Sequence, residues 1–170
     1  MNRWSRLVDT ARSFGWISIA LHWTAAIAVV AIWFIGQTIY SQVSLDDTYA
    51  ARTLHITVGM SSWALLAGRI LWRLLNGHPR VAGQTLLTHR IARFTHYLML
   101  GLLGLLMITG PIMAWLNDLL DLSVVSLLRA VHQYAANGLL SLVALHILAS
   151  FKHLMFHEDE TIVRMFIPKS

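Results

Sequence analysis

Four long apolar blocks constrain this chain more than any other feature. They run Ile17–Tyr40, Leu54–Leu75, Phe94–Leu116 and Ala130–Phe156. A helix needs roughly 20 apolar residues to cross a hydrocarbon core of about 30 Å, and each block is long enough. Lipid offers no hydrogen bonds to the backbone, so only helices or closed barrels can span it. None of the blocks shows the period-2 alternation of barrel strands. The first block is too long for the apolar region of a secretory signal, lacks an obvious small-residue cleavage site, and is followed by three more spans. The sequence therefore predicts an all-α integral membrane four-helix bundle, a single membrane domain over residues 1–170. Its transmembrane helices fall near 17–40, 54–75, 94–116 and 130–156.

Charge sets the expected orientation. The 13 Lys and Arg residues divide unevenly between the two sides of such a bundle. Eleven lie in the N-terminal arm, around the connection between the second and third blocks, and at the C-terminal end. Only Arg52 and Arg129 fall on the other side, together with Asp46, Asp47, Asp118 and Asp121. The positive-inside rule then places both termini in the cytoplasm. The net charge of +5 could suggest nucleic acid, but the basic residues sit between apolar blocks, where topology accounts for them. No nucleic-acid partner is expected; the lipid bilayer is. Charged residues make up only 12% of the chain, about half the usual share of a soluble domain. With no cysteine, disulfides, iron–sulfur ligation, thiol catalysis and covalent c-type haem attachment are excluded. The 76–90 connection reads as a polar loop holding His78 and His89, and the C-terminal HEDETIVRMFIPKS as a short interfacial segment.

Histidines inside the blocks carry the chemistry. Ionisable residues within membrane spans are functional by default. His22 lies near the cytoplasmic side of the first helix and His55 near the outer side of the second. His132 and His146 share the fourth helix, fourteen residues apart. That spacing separates them by about 21 Å along the axis and only about 40° around it. One face of this helix therefore presents an imidazole to each leaflet. At matching depth, His55 can face His132 outside and His22 can face His146 inside. Two axial imidazoles from facing helices are what a six-coordinate b-type haem requires. Gly59, one turn after His55, would let a flat macrocycle lie close, and Gly101, Gly104 and Gly110 would do the same along the third helix. The same glycines would equally serve close helix packing. Pro111 should kink that helix. A zinc site would need three or four ligands at one depth, and a Ser–His–acid hydrolase a buried acid; neither set is present.

These residues, from ISIALHW at 17–23 to DETIVRMFIP at 159–168, resemble the bacterial cytochrome b561 family of four-helix di-haem membrane proteins. That family shares its core with the cytochrome b subunits of nickel hydrogenases and respiratory formate dehydrogenases. The resemblance implies two haem b groups, with His22 and His146 ligating the cytoplasmic-side iron and His55 and His132 the outer one. It also covers Arg69 and Arg73 of GRILWRLL, which could hold haem propionates or simply anchor the helix at the cytoplasmic face. His96 and His153 would line a quinone pocket beside the inner haem, with His96 an alternative ligand. Some relatives oxidise superoxide at the outer face and pass electrons to ubiquinone. An electron-transfer protein of the bacterial inner membrane, working between ubiquinone and an outer-side partner such as superoxide, is the leading expectation. The four outer aspartates oppose an anionic substrate, whereas Arg52 and Arg129 would focus positive potential near the haem edge. Two other readings stay open: a membrane-anchor subunit for a soluble dehydrogenase or hydrogenase, and a non-haem membrane protein whose histidines bind metal.

Overall fold

The computed structural model describes residues 7–10, 13–76, 86–156 and 165–166, with backbone alone at Asn117, His153, Leu154 and Phe156. Four long helices dominate: α1 (Trp16–Thr38), α2 (Leu45–Asn76), α3 (Leu86–Trp115) and α4 (Leu122–Phe156). Short 3₁₀ turns, Ile39–Ser41 and Asn117–Leu119, lie in the α1–α2 and α3–α4 connections. No strand occurs among the described residues. All four helices are long and apolar enough to cross a membrane. The fold is the expected all-helical membrane bundle.

Helices α2, α3 and α4 begin eight or nine residues before the apolar blocks do. The added turns are helical without being apolar, because helix formation needs caps and packing rather than hydrophobicity. At α2 the cap is explicit: the Asp47 backbone N–H donates to Ser44 Oγ at 3.1 Å, and Ser44 Oγ–H donates to the Asp47 carboxylate at 2.7 Å. This is a Ser-x-x-acid start, and Asp46 and Asp47 suit the positive end of the helix dipole. The loop expected over 76–90 is correspondingly shorter. His89 lies in the first turn of α3 rather than in a loop, and His78 is outside the described residues.

The bundle is built as two hairpins. Helix α1 packs mainly on α2, and α3 mainly on α4, while α1 and α4 barely touch. One buried side chain from each helix forms the central core: Ala25, Leu66, Leu103 and Leu139. Large apolar side chains such as Ile27, Phe34, Ile108 and Leu145 point outward, as a lipid-facing surface requires. Hydroxyls in the spans donate back to the carbonyl one turn earlier, Ser61 to Thr57 and Ser141 to Asn137 among them. That satisfies them where no water is present.

Indole N–H groups cross-link the hairpins. Trp33 Nε1 donates to Asn137 Oδ1 at 3.0 Å, joining α1 to α4. Pro111 has no N–H, so the Met107 carbonyl one turn earlier loses its helical partner. Trp63 of α2 fills the gap, donating its Nε1–H to that carbonyl at 3.2 Å. At the other end, residues 7–10 and 13–15 fold back on α1. The Asp9 carboxylate accepts from the Gly15 N–H at 2.8 Å and from Ser18 Oγ at 2.7 Å. Ser18 in turn accepts from Trp72 Nε1 at 2.7 Å. The turn is so tight that a Cβ at Gly15 would run into the Leu7 carbonyl. The C-terminal segment reaches the same end, where Met165 accepts from Trp23 Nε1 at 2.8 Å and Phe166 packs on the Trp23 ring. Segments flanking the bundle at its N- and C-terminal ends therefore lie on one side.

Candidate functional site

The gap between the two hairpins holds the histidines, in two layers. In the outer layer, His55 of α2 and His132 of α4 face each other with ring centres 6.3 Å apart and planes at 84°. In the inner layer, His22 of α1 and His146 of α4 stand 6.4 Å apart at 73°. A metal–imidazole bond of about 2 Å on each side, plus about 1 Å from each nitrogen to its ring centre, puts two ring centres about 6 Å apart across a shared metal. Both pairs meet that requirement. No group of three or more His, Cys, Asp or Glu able to hold a metal ion occurs among the described residues. The ring separations are those of two imidazoles that share one metal between them.

A single spacing organises both layers. Fourteen residues separate His132 from His146, and the same interval separates His22 from Gly36, His55 from Arg69, and His96 from Gly110. Fourteen residues return a helix nearly to the same face, so each helix contributes one residue to each layer. The outer layer is Gly36, His55, Gly110 and His132. Contacts confirm it: a Cβ at Gly36 would stand 3.1 Å from His55 Cε1, and one at Gly110 3.5 Å from His132 Cε1. The inner layer is His22, Arg69, His96 and His146. Arg69 Nη2 lies 3.1 Å from His22 Nδ1, and the His96 and His146 rings are 5.0 Å apart.

Hydrogen bonds distinguish the imidazoles. His55 Nδ1 is 3.1 Å from the Ile32 carbonyl, which can only accept, so Nδ1 carries the proton. The Nε2 lone pair is then the one available to a metal. His96 does the same toward the Ala92 carbonyl at 2.6 Å. His22 is the reverse case. Arginine can only donate, so the Arg69 contact makes Nδ1 the acceptor and leaves the proton on Nε2. In this arrangement the His22 Nε2 carries the proton and offers no lone pair to a metal.

The outer layer also opens into a cavity of about 400 Å³, lined by His55, His132, Gly36, Gly59 and Gly110. That is within the ~300–1,000 Å³ of small-molecule and cofactor sites. Nothing stands within 4 Å of a Cβ at Gly59, so this glycine leaves the opening its sequence position suggested. Gly101 and Gly104 have the same clearance. Arg52 and Arg129 line the cavity as well. Paired imidazoles at metal-bridging distance, beside an apolar cavity walled partly by glycine, fit a flat iron macrocycle.

Arg69 and Arg73, adjacent in the sequence reading, have different surroundings. Arg69 meets His22. Arg73 is buried and lies 3.9 Å from the Asp9 carboxylate, with Phe14 beneath its guanidinium at 5.3 Å. His153 falls on α4 two turns beyond His146, its side chain outside the described residues. Sequence reasoning missed Gly36, Thr109 and Asp9. The fourteen-residue interval from His22 would have found Gly36. Asp9 lies outside every apolar block and gave no signal.

Comparison with known proteins identifies the family. The chain is 27% identical over 174 residues to cytochrome b561 homolog 2 of Escherichia coli (strain K12), an alignment covering 92% of this chain and 93% of that protein. Residues 13–167 match the family model described as prokaryotic cytochrome b561. With all four helices and both histidine layers inside that match, the chain belongs to the prokaryotic cytochrome b561 family of haem b membrane proteins in electron transfer.

Proposed function

We propose that this protein is a di-haem cytochrome of the bacterial inner membrane, carrying electrons between ubiquinone and an outer-side partner. The observation that carries the reading is the pair of imidazole separations, 6.3 Å in one layer and 6.4 Å in the other. His55 and His132 would hold the outer haem, and His22 and His146 the inner one. When bound, the two haems supply one-electron carriers at two depths of the membrane, with no open coordination position for dioxygen.

This chain's own residues would do the rest. The Ile32 carbonyl holds His55 in the ligating tautomer. Arg69 keeps four of its five N–H donors beyond the His22 contact, enough for a haem carboxylate once it turns from the ring. Arg73, paired with Asp9, adds positive charge at the same end. His96 and His153 would serve a quinone at the inner layer, exchanging the protons that accompany its reduction. With Lys and Arg concentrated at this end, the positive-inside rule makes it cytoplasmic, both termini included. Arg52 and Arg129 at the outer cavity favour an anionic partner such as superoxide. Two superoxide anions would each give up one electron and leave as dioxygen, and one quinone would take both electrons with two protons.

A pyridine-haemochrome assay on detergent-purified protein tests the reading. Two haem b per chain with a low-spin reduced spectrum is the expected result. One haem would show that a layer is misassigned, and none would overturn the proposal.

A further inference from the structure

The two outer imidazoles are held by different partners. His55 donates to a backbone carbonyl, which mutation cannot remove. His132 Nδ1 lies 2.8 Å from the side-chain oxygen of Thr109, on the neighbouring helix α3. Thr109 is almost wholly buried, at 3% exposure, in a helix whose surroundings are mostly apolar. Its hydroxyl has one proton and three polar neighbours, His132 Nδ1 and two carbonyls of its own helix. The Leu105 carbonyl stands 2.8 Å away and the Leu106 carbonyl 3.5 Å away, and neither can donate. Both 2.8 Å contacts are satisfied in one arrangement only. Thr109 donates to Leu105 and accepts from His132 Nδ1–H. The imidazole is thereby held with its proton on Nδ1 and its lone pair on Nε2.

We propose that Thr109 is a positioning residue for the outer haem: its hydroxyl fixes the tautomer and orientation of His132 and sets the outer reduction potential. The inference rests on the proposed ligation of that haem by His132. A ligating histidine whose second nitrogen donates a hydrogen bond is a more basic ligand, and a more basic ligand favours ferric over ferrous iron. Position in the fold makes this device local. Thr109 sits one residue before Gly110, whose missing side chain leaves room beside the same ring, and two before Pro111, which removes one hydrogen bond from the α3 ladder. Among the described residues no hydroxyl reaches a ring of the inner pair. His146 is the ring at the same place on α4, and the residue fourteen before Thr109 is Thr95, whose hydroxyl donates to its own helix at Ile91.

The test uses full-length protein carrying Thr109→Val, which keeps the shape and removes the acceptor, and Thr109→Ser, which restores it. Wild-type haem content is established first. Fewer than two haems there defeats the ligation itself, a failure distinct from that of Thr109. The readouts are a spectroelectrochemical titration that resolves the two haems and the low-spin ferric EPR signal of the outer one. In Thr109→Val the outer haem should become easier to reduce, its oxidised-to-reduced ratio at fixed ambient potential falling up to tenfold, which is 59 mV for a one-electron couple. Its EPR g-values should move while the inner haem keeps both properties. Thr109→Ser should match wild type. An outer haem in Thr109→Val with unchanged potential and g-values overturns the proposal. If Thr109→Val loses the outer haem, retention with the wild-type potential in Thr109→Ser supports the hydroxyl, and loss in both variants overturns it.

Discussion

The outer layer is built of two histidines and two glycines, the inner layer of three histidines and an arginine, on the same four helices at the same fourteen-residue interval. Outside, the glycines take no space, and a cavity of about 400 Å³ adjoins rings whose lone pair lies on Nε2. Inside, His22 and His96 stand where α1 and α3 carry glycine outside, and Arg69 stands where α2 carries His55. His22 is held in the other tautomer, and its partner His146 faces a second imidazole. One helical frame thus supports a layer with room beside its rings and a layer with one ring held by arginine. The difference suits their surroundings. The inner layer lies beside the basic end of the bundle, where charge on a bound group can be neutralised. The outer one has only Arg52 and Arg129 nearby.

The largest test of this contrast is ligand removal. His55→Ala or His132→Ala should cut haem from two per chain to one, since the outer layer has no spare imidazole. His22→Ala should retain part of the inner haem, because His96 already stands beside His146; the double variant His22→Ala/His96→Ala should lose it fully. Haem stoichiometry measures this directly. Equal losses in His22→Ala and His55→Ala would erase the distinction. Gly36→Val should come next. Its side chain meets His55, and even a Cβ would stand at 3.1 Å, so outer haem should fall by more than half. Gly68→Ala, with nothing within 4 Å, should leave both haems intact.

Smaller effects belong to the ends. Asp9→Asn leaves Arg73 buried without its counter-charge, and breaking such a pair costs about 3 kcal/mol or more. Thermal unfolding in detergent should show the loss, and any spectral change should be confined to the inner haem. A matching change in the outer spectrum would mean the layers are coupled. Trp63→Phe should cost about 1 kcal/mol, the worth of its single hydrogen bond to the carbonyl that Pro111 leaves unpaired. No measurable destabilisation would mean that carbonyl finds another partner.

Much of this was legible in the residues. Block length settled helices over strands, and depth alone paired His55 with His132 and His22 with His146, as the structure brings them. Helices α2, α3 and α4 start before their apolar blocks, because they extend on caps and polar turns that hydropathy does not mark. Arg69 and Arg73 looked equivalent because both end α2. Only the fold of residues 7–10 and 13–15 shows that Arg73 faces Asp9 while Arg69 faces His22.

Sequence by itself determined that the chain spans a bilayer, because an apolar run of that length has no other stable place, and that its imidazoles lie at two depths, because helical rise converts spacing into distance. Tertiary structure decided what each imidazole touches. Tautomer, orientation and the room for a ligand depend on side chains from other helices, Thr109 on His132, Gly36 on His55 and Arg69 on His22. No periodicity within one helix encodes where its neighbour's residues will fall.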